Sequence, residues 1–89
     1  MEKLIKLYTE WNGAAPVSTE HLAGAGSNRQ YYRFTAADGS TVIGVVGTSR
    51  DENHAFVYLA QHFEKRQLPV PHVFATSDDG LRYLQSDLG

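Results

Sequence analysis

QYYRFTAADGSTVIGVVGTSRDE, residues 30–52, changes its local chemistry three times. Gln30 to Ala36 is rich in aromatic residues and reads as a strand. Asp38-Gly39 supplies the residue pair that tolerates the positive φ of a tight hairpin turn. Thr41 to Gly47 is dominated by Val and Ile and reads as a strand buried on at least one face. Ser49-Arg50-Asp51-Glu52 is a capping box: the serine is placed to accept from a free helix N–H, and the glutamate reaches back. The stretch therefore predicts strand, hairpin, strand and the start of a helix.

Working outward toward the C-terminus, Phe56, Leu59, Ala60 and Phe63 recur at i, i+3, i+4 and i+7, one apolar face of a helix. That helix ends near Gln67, because Leu68-Pro69-Val70-Pro71 cannot continue it. Val73 to Thr76 reads as a strand, Ser77-Asp78-Asp79-Gly80 as a tight turn, and Leu81 to Gln85 as the antiparallel partner. Toward the N-terminus, Leu4, Ile5, Tyr8 and Trp11 fall at helical spacing, giving an amphipathic helix over residues 2–12 stopped by Asn12-Gly13. Val17 to Leu22 is an extended segment leading into GAGSNRQYYRF, residues 24–34. The order is helix, three strands, helix, two strands. Short links between the strands predict an α+β fold: a five-stranded antiparallel sheet with one packed helix, plus the N-terminal helix.

Composition sets the boundaries. Eighty-nine residues make one small domain with a single core and little reserve of buried surface. Hydrophobic content of 42% with 20% charged residues is that of a globular chain, which excludes an intrinsically disordered one. There is no cysteine, so neither a disulfide nor a thiolate metal site holds the fold. A net charge of −2 argues against a general nucleic-acid binder. MEKLIKLYTEW lacks the long apolar run and cleavage site of a signal peptide, and a cytoplasmic location is expected. His54 and His62 stand eight apart on the second helix, about two turns, too far to share one metal ion. All four histidines read as surface or partly buried residues.

The chemistry concentrates in GAGSNRQYYRF. Gly24, Ala25, Gly26, Ser27 and Asn28 let backbone N–H groups approach an anion without obstruction. The loop lies between two strands and lacks the helix N-terminus that dinucleotide-binding and Walker-type loops require. It reads either as a plain glycine hairpin or as the phosphate-covering flap of a kinase-like fold. Arg29, Tyr31 and Arg33 share strand parity, so the three side chains fall on one face. Either Arg29 faces a phosphate, or both arginines are solvated or pair with Glu20 or Asp51. Tyr31, Tyr32 and Phe34 leave open a rival reading, a single-stranded nucleic-acid platform; the alternating pattern also fits core on one face and covered surface on the other.

GAGSNRQYYRF resembles the nucleotide-binding loop of the aminoglycoside phosphotransferase-like kinases, especially sugar kinases acting on N-acetylmuramate or N-acetylglucosamine. LPVPHVFATSDDGLRYLQSDLG, residues 68–89, is similar to the same family's passage from helix end to hinge. The resemblance implies a protein-kinase-like small lobe spanning residues 1–89, cut at the hinge, with the catalytic lobe absent. It implies ATP as ligand and Mg²⁺ as cofactor of the whole enzyme, with the metal ligands in the larger lobe. Gly24 to Asn28 would cover the phosphates. The Ser86 carbonyl and Leu88 N–H would meet the adenine edge, with Val42 and Gln85 near the adenine pocket. On the residues alone, Ser86 to Gly89 is a polar strand end. Such lobes carry a basic residue on the third strand, pairing with the phosphates and a helix glutamate. TVIGVVG offers Gly44 near that place, so Arg29 becomes the candidate substitute cation, unless phosphate binding is impaired. Glu52 is then either the helix cap or the ion-pair glutamate. The reaction implied is transfer of the ATP γ-phosphoryl group to a hydroxyl of a sugar or other small molecule, with no membrane involved and with this chain inactive alone. The alternative is a non-catalytic interaction or single-stranded nucleic-acid-binding module.

Overall fold

A computed structural model describes residues 2–22, 29–67 and 71–87. Its elements run α1 (Glu2–Asn12), β1 (Ser18–Leu22), β2 (Gln30–Thr35), β3 (Thr41–Val46), α2 (Arg50–Lys65), β4 (Val73–Thr76) and β5 (Arg82–Ser86). The five strands form one antiparallel sheet in the order β1-β2-β3-β5-β4. After β3 the chain passes through α2 to the sheet's outer edge, lays down β4, and returns as β5 beside β3.

The β2–β3 hairpin closes as its sequence requires. Gly39 takes φ +89°, and the Asp38 carboxylate accepts from the Ser40 N–H at 2.9 Å and the Ser40 hydroxyl at 2.7 Å. Those two bonds hold the Asp38 carboxyl below its ordinary range. The resulting register sets Arg33 opposite Ile43 and Tyr32 opposite Gly44.

Both faces of β3 are covered, which is why it is apolar throughout. Val42 joins Leu4, Tyr8, Phe34 and Leu84 in a core under α1. Ile43 and Val45 join Tyr83 in a second core, against which Phe56 and Val57 of α2 pack. The two helices thus lie on opposite faces of the sheet. A bulge between Val73 and Ala75 lets β4 serve both cores, Val73 on the α2 side and Ala75 on the α1 side.

The packing stripe of α2 differs from the one its apolar residues predict. Asn53 and Ala60 are its buried residues, whereas Leu59 and Phe63 remain 48% and 37% exposed. The cause is Asn53, only 2% exposed, whose amide Nδ2 donates to the Gly80 carbonyl at 3.0 Å. Its carboxamide occupies the space where a Gly47 Cβ would stand. Pinned there, the helix turns Asn53, Phe56, Val57 and Ala60 to the sheet. Ser49 caps it as expected, its hydroxyl accepting from the Glu52 N–H at 3.2 Å. The last turn closes with Arg66 N–H donating to the Phe63 carbonyl and Gln67 at φ +62°.

Candidate functional site

The candidate chemistry gathers on the α2 face of the sheet. β2 places Tyr31 in the α2-side core, and alternation along the strand puts Arg33 on the same face. Arg29, just before β2, reaches the first turn of α2: its Nη2 donates to the Glu52 carbonyl at 3.4 Å, and its Cζ lies 5.3 Å from the Phe56 ring centroid. A guanidinium at that distance over an aromatic face is held by the ring quadrupole. The parity expected of Arg29, Tyr31 and Arg33 is therefore observed. Arg29 meets the backbone of Glu52. Burial pushes the neighbouring Tyr83 phenol up to about 12, with the Arg29 charge acting in the opposite direction.

Arg33 sits at the other end of the same face in a set of ion pairs. Its Nε donates to Asp87 Oδ2 at 2.7 Å and its Nη1 to Glu20 Oε1 at 3.1 Å. The Thr41 hydroxyl donates to the same Asp87 oxygen at 2.8 Å. The Asp87 side chain is only 9% exposed, and the hydrogen bond to it raises the Arg33 pKa. Strand pairing sets Glu20 across from Arg33, so the Glu20 contact was legible from the sequence. Asp87, fifty-four residues away, left no local signal.

Gln85 follows Tyr83 by alternation onto the α2 face and pairs across the sheet with Ile43. Among the described residues its buried Oε1 has no hydrogen-bond partner, a state that costs free energy unless another donor reaches it. Val42 lies on the opposite face, packed with Leu4 and Tyr8 under α1, so it does not share a pocket wall with Gln85. Alternation allows one of the two on each face, and Ile43 occupies the place beside Gln85.

Gly44 likewise faces α1. A Cβ there would stand 2.7 Å from Phe34 Cε2 and 2.9 Å from Leu4 Cδ2. A basic side chain reaching α2 from the third strand would have to leave from Ile43 or Val45, which are aliphatic and packed. Glu52 is exposed and its backbone serves the helix cap.

At the end of β5 the Ser86 N–H donates to the His72 carbonyl at 2.8 Å, while the His72 N–H goes to the Ser86 hydroxyl at 2.9 Å. Gly24, Ala25, Gly26, Ser27, Asn28 and Leu88 lie outside the described residues. Tyr31 and Tyr32 occupy opposite faces, and Phe34 is fully buried, so the three aromatics form no shared platform. Among the described residues no group of three His, Cys, Asp or Glu side chains is placed to hold a metal ion, and no helix is long and apolar enough to cross a membrane. A cavity of about 400 Å³ lies between α2 and the β4–β5 turn, lined by Asn53, Val57, Tyr58, Gly80 and Tyr83 among others.

Compared with protein-family models and with curated protein sequences, the chain matches none.

Proposed function

We propose that this chain is the ATP-binding lobe of an aminoglycoside phosphotransferase-like kinase, one that transfers the γ-phosphoryl group to a hydroxyl of a sugar or other small molecule. The observation that carries this reading is the position of Arg29. It follows the glycine loop directly and stands at the first turn of α2, on the face that also carries Tyr31, Ile43 and Gln85. A triphosphate bound on that face meets a cation there, and the N-terminal end of α2 adds its own partial positive charge. The element order and the return of β5 beside β3 support the same reading. The unpartnered Gln85 Oε1 is an acceptor suited to the amino group of an adenine.

ATP with Mg²⁺ supplies the transferable phosphoryl group in such chemistry, which also needs an aspartate base and metal-binding Asn and Asp residues. The HGD…N…D set that carries them in the family has no counterpart in this sequence. The chain's own residues bind and orient the nucleotide, and transfer belongs to the larger lobe.

The test is a titration of the 89-residue protein with ATP, followed by backbone amide chemical shifts. Shifts are expected at Arg29 to Tyr31, in the first turn of α2, at Ile43 and at Gln85 to Asp87. Arg29→Ala is expected to weaken ATP binding about tenfold, the scale of one lost charge-assisted contact. Shifts confined to the α1 face, or an unchanged affinity in the variant, would remove the reading. A second reading, a non-catalytic interaction domain, draws on the apolar surface of α2, where Tyr58 is 69% exposed beside Leu59 and Phe63. Absence of any ATP-dependent shift would favour it.

A further inference from the structure

Arg82, the first residue of β5, uses only one edge of its guanidinium. Its Nη1 donates to Asp79 Oδ2 at 3.0 Å. Among the described residues the other edge, Nε and Nη2, meets no acceptor, although Nε is buried. A buried N–H of a charged group left unpaired costs free energy that a bound acceptor returns. Arg82 also borders the cavity of about 400 Å³ between α2 and the β4–β5 turn. Val57 and the buried Tyr83 wall that cavity, the exposed Tyr58 flanks it, and no acidic side chain lines it among the described residues. His54 lies against the turn: a Cβ on Gly80 would stand 3.0 Å from His54 Nε2, so the glycine makes room for the ring. Asp79 borders the neighbouring groove with Lys3 and Lys6. Its other oxygen is already taken by the Ser77 hydroxyl at 2.6 Å and the Leu81 N–H at 3.0 Å.

We propose that this cavity binds a small apolar monocarboxylate, with its carboxylate on the unused edge of Arg82 and its apolar body against Val57, Tyr58 and Tyr83. A guanidinium edge presents two parallel N–H donors at the spacing of two carboxylate oxygens; an amide offers it only one acceptor. The volume is that of small-molecule sites, where an apolar wall holds the body of a ligand and a few polar groups fix its orientation. Asp79 holds the guanidinium from Nη1, so the fork is oriented before a ligand arrives. His54 brings a second nitrogen to the same wall. The lining includes none of Arg29, Tyr31, Ile43 and Gln85, so the proposal does not rest on the nucleotide-binding reading.

The experiment titrates the 89-residue protein with phenylbutyrate and with its neutral amide, phenylbutyramide, followed by backbone amide chemical shifts. The acid is expected to bind about tenfold more tightly than the amide, with shifts at Asn53, Val57, Gly80 and Tyr83. Arg82→Met, which keeps the length of the stem and removes the fork, is expected to erase that preference. Gln61→Trp adds bulk beside the cavity from an exposed position of α2 and is expected to weaken both ligands without lowering the melting temperature. It decides the matter together with the wild-type ratio if Arg82→Met does not fold. Absence of binding, equal affinity for acid and amide, or shifts confined to the α1 face would overturn the proposal. So would a preference kept by folded Arg82→Met, or binding undiminished in Gln61→Trp. Tighter binding of an acetylated tripeptide ending in phenylalanine would overturn the small-molecule assignment and give the site to a chain terminus.

Discussion

Gly44→Ala adds one methyl group at the most crowded point of the α1 side of the sheet. Its Cβ would stand 2.7 Å from Phe34 Cε2 and 2.9 Å from Leu4 Cδ2. The nearer contact falls short by about 0.8 Å of the ~3.5 Å at which carbon atoms attract. Neither neighbour has solvent to swing into, since Leu4 and Phe34 are both 0% exposed. Overpacking of this kind costs about 1–3 kcal/mol, and the gain from stiffening the unfolded chain offsets about 0.4–1 kcal/mol. The net expected loss is about 1–2 kcal/mol. In urea, with m of about 1 kcal/mol/M for a small domain, the midpoint falls by roughly 1–2 M. A double-mutant cycle with Leu4→Ala sharpens the assay. If Leu4 is part of the obstruction, the added methyl fills space that Leu4 vacated, and the double variant loses less than the sum by about 0.5 kcal/mol or more. Additive losses would refute Leu4 as an obstacle, and an unchanged midpoint for Gly44→Ala would refute the packing argument altogether. The result bears on function, because it places Gly44 in the structural core, on the face away from α2. On the nucleotide-binding reading proposed above, a phosphate-binding cation is then to be sought on the opposite face.

Three further outcomes follow from the geometry. Removing the helix cap with Ser49→Ala should cost about 1 kcal/mol, read from the denaturation midpoint, as the Glu52 N–H loses its acceptor; no loss would mean that water serves equally well. Asn53→Ala strips the Gly80 carbonyl of its donor, with an expected cost of about 1–3 kcal/mol. Amide exchange in α2 should quicken beyond that in β3, and uniform exchange would show that Asn53 does not pin the helix. Tyr83 supplies a pH test: subtracting the ultraviolet titration of Tyr83→Phe from that of wild type should isolate a phenol ionising at about 12. Because burial raises it from 10.0, the unfolded chain gives up this proton first. Its contribution to stability is complete below pH 10 and lost as pH rises toward about 12. A difference titration centred near the ordinary value would refute the burial of that hydroxyl.

Local chemistry was enough to place the elements. The Asp38-Gly39 turn, the Ser49 cap and the helix stop at Asn12-Gly13 all act within a few residues, so pattern alone located α1, the β2–β3 hairpin and the start of α2. Strand parity likewise put Arg29, Tyr31 and Arg33 on one face before any fold was known. Pattern failed wherever the deciding contact joined distant segments. The stripe Phe56, Leu59, Ala60, Phe63 measures where apolar residues lie on α2; the helix rotation is decided by a buried asparagine between Gly47 and Gly80. A polar residue three positions before Phe56, in line with the apolar face, was the one hint of it.

The sequence by itself determined the order of the strands and helices, the turns that join them and the residue types available for chemistry, because each depends on backbone preferences and neighbours. Only the tertiary structure decided that α1 and α2 take opposite faces of β3, which separates Val42 from Gln85 and turns Gly44 toward α1. It also decided that Arg33 meets Asp87 and that the Ser86 hydroxyl accepts from the His72 N–H. These pairings arise when the sheet closes with β5 between β3 and β4, a step whose free energy comes from burying both cores at once.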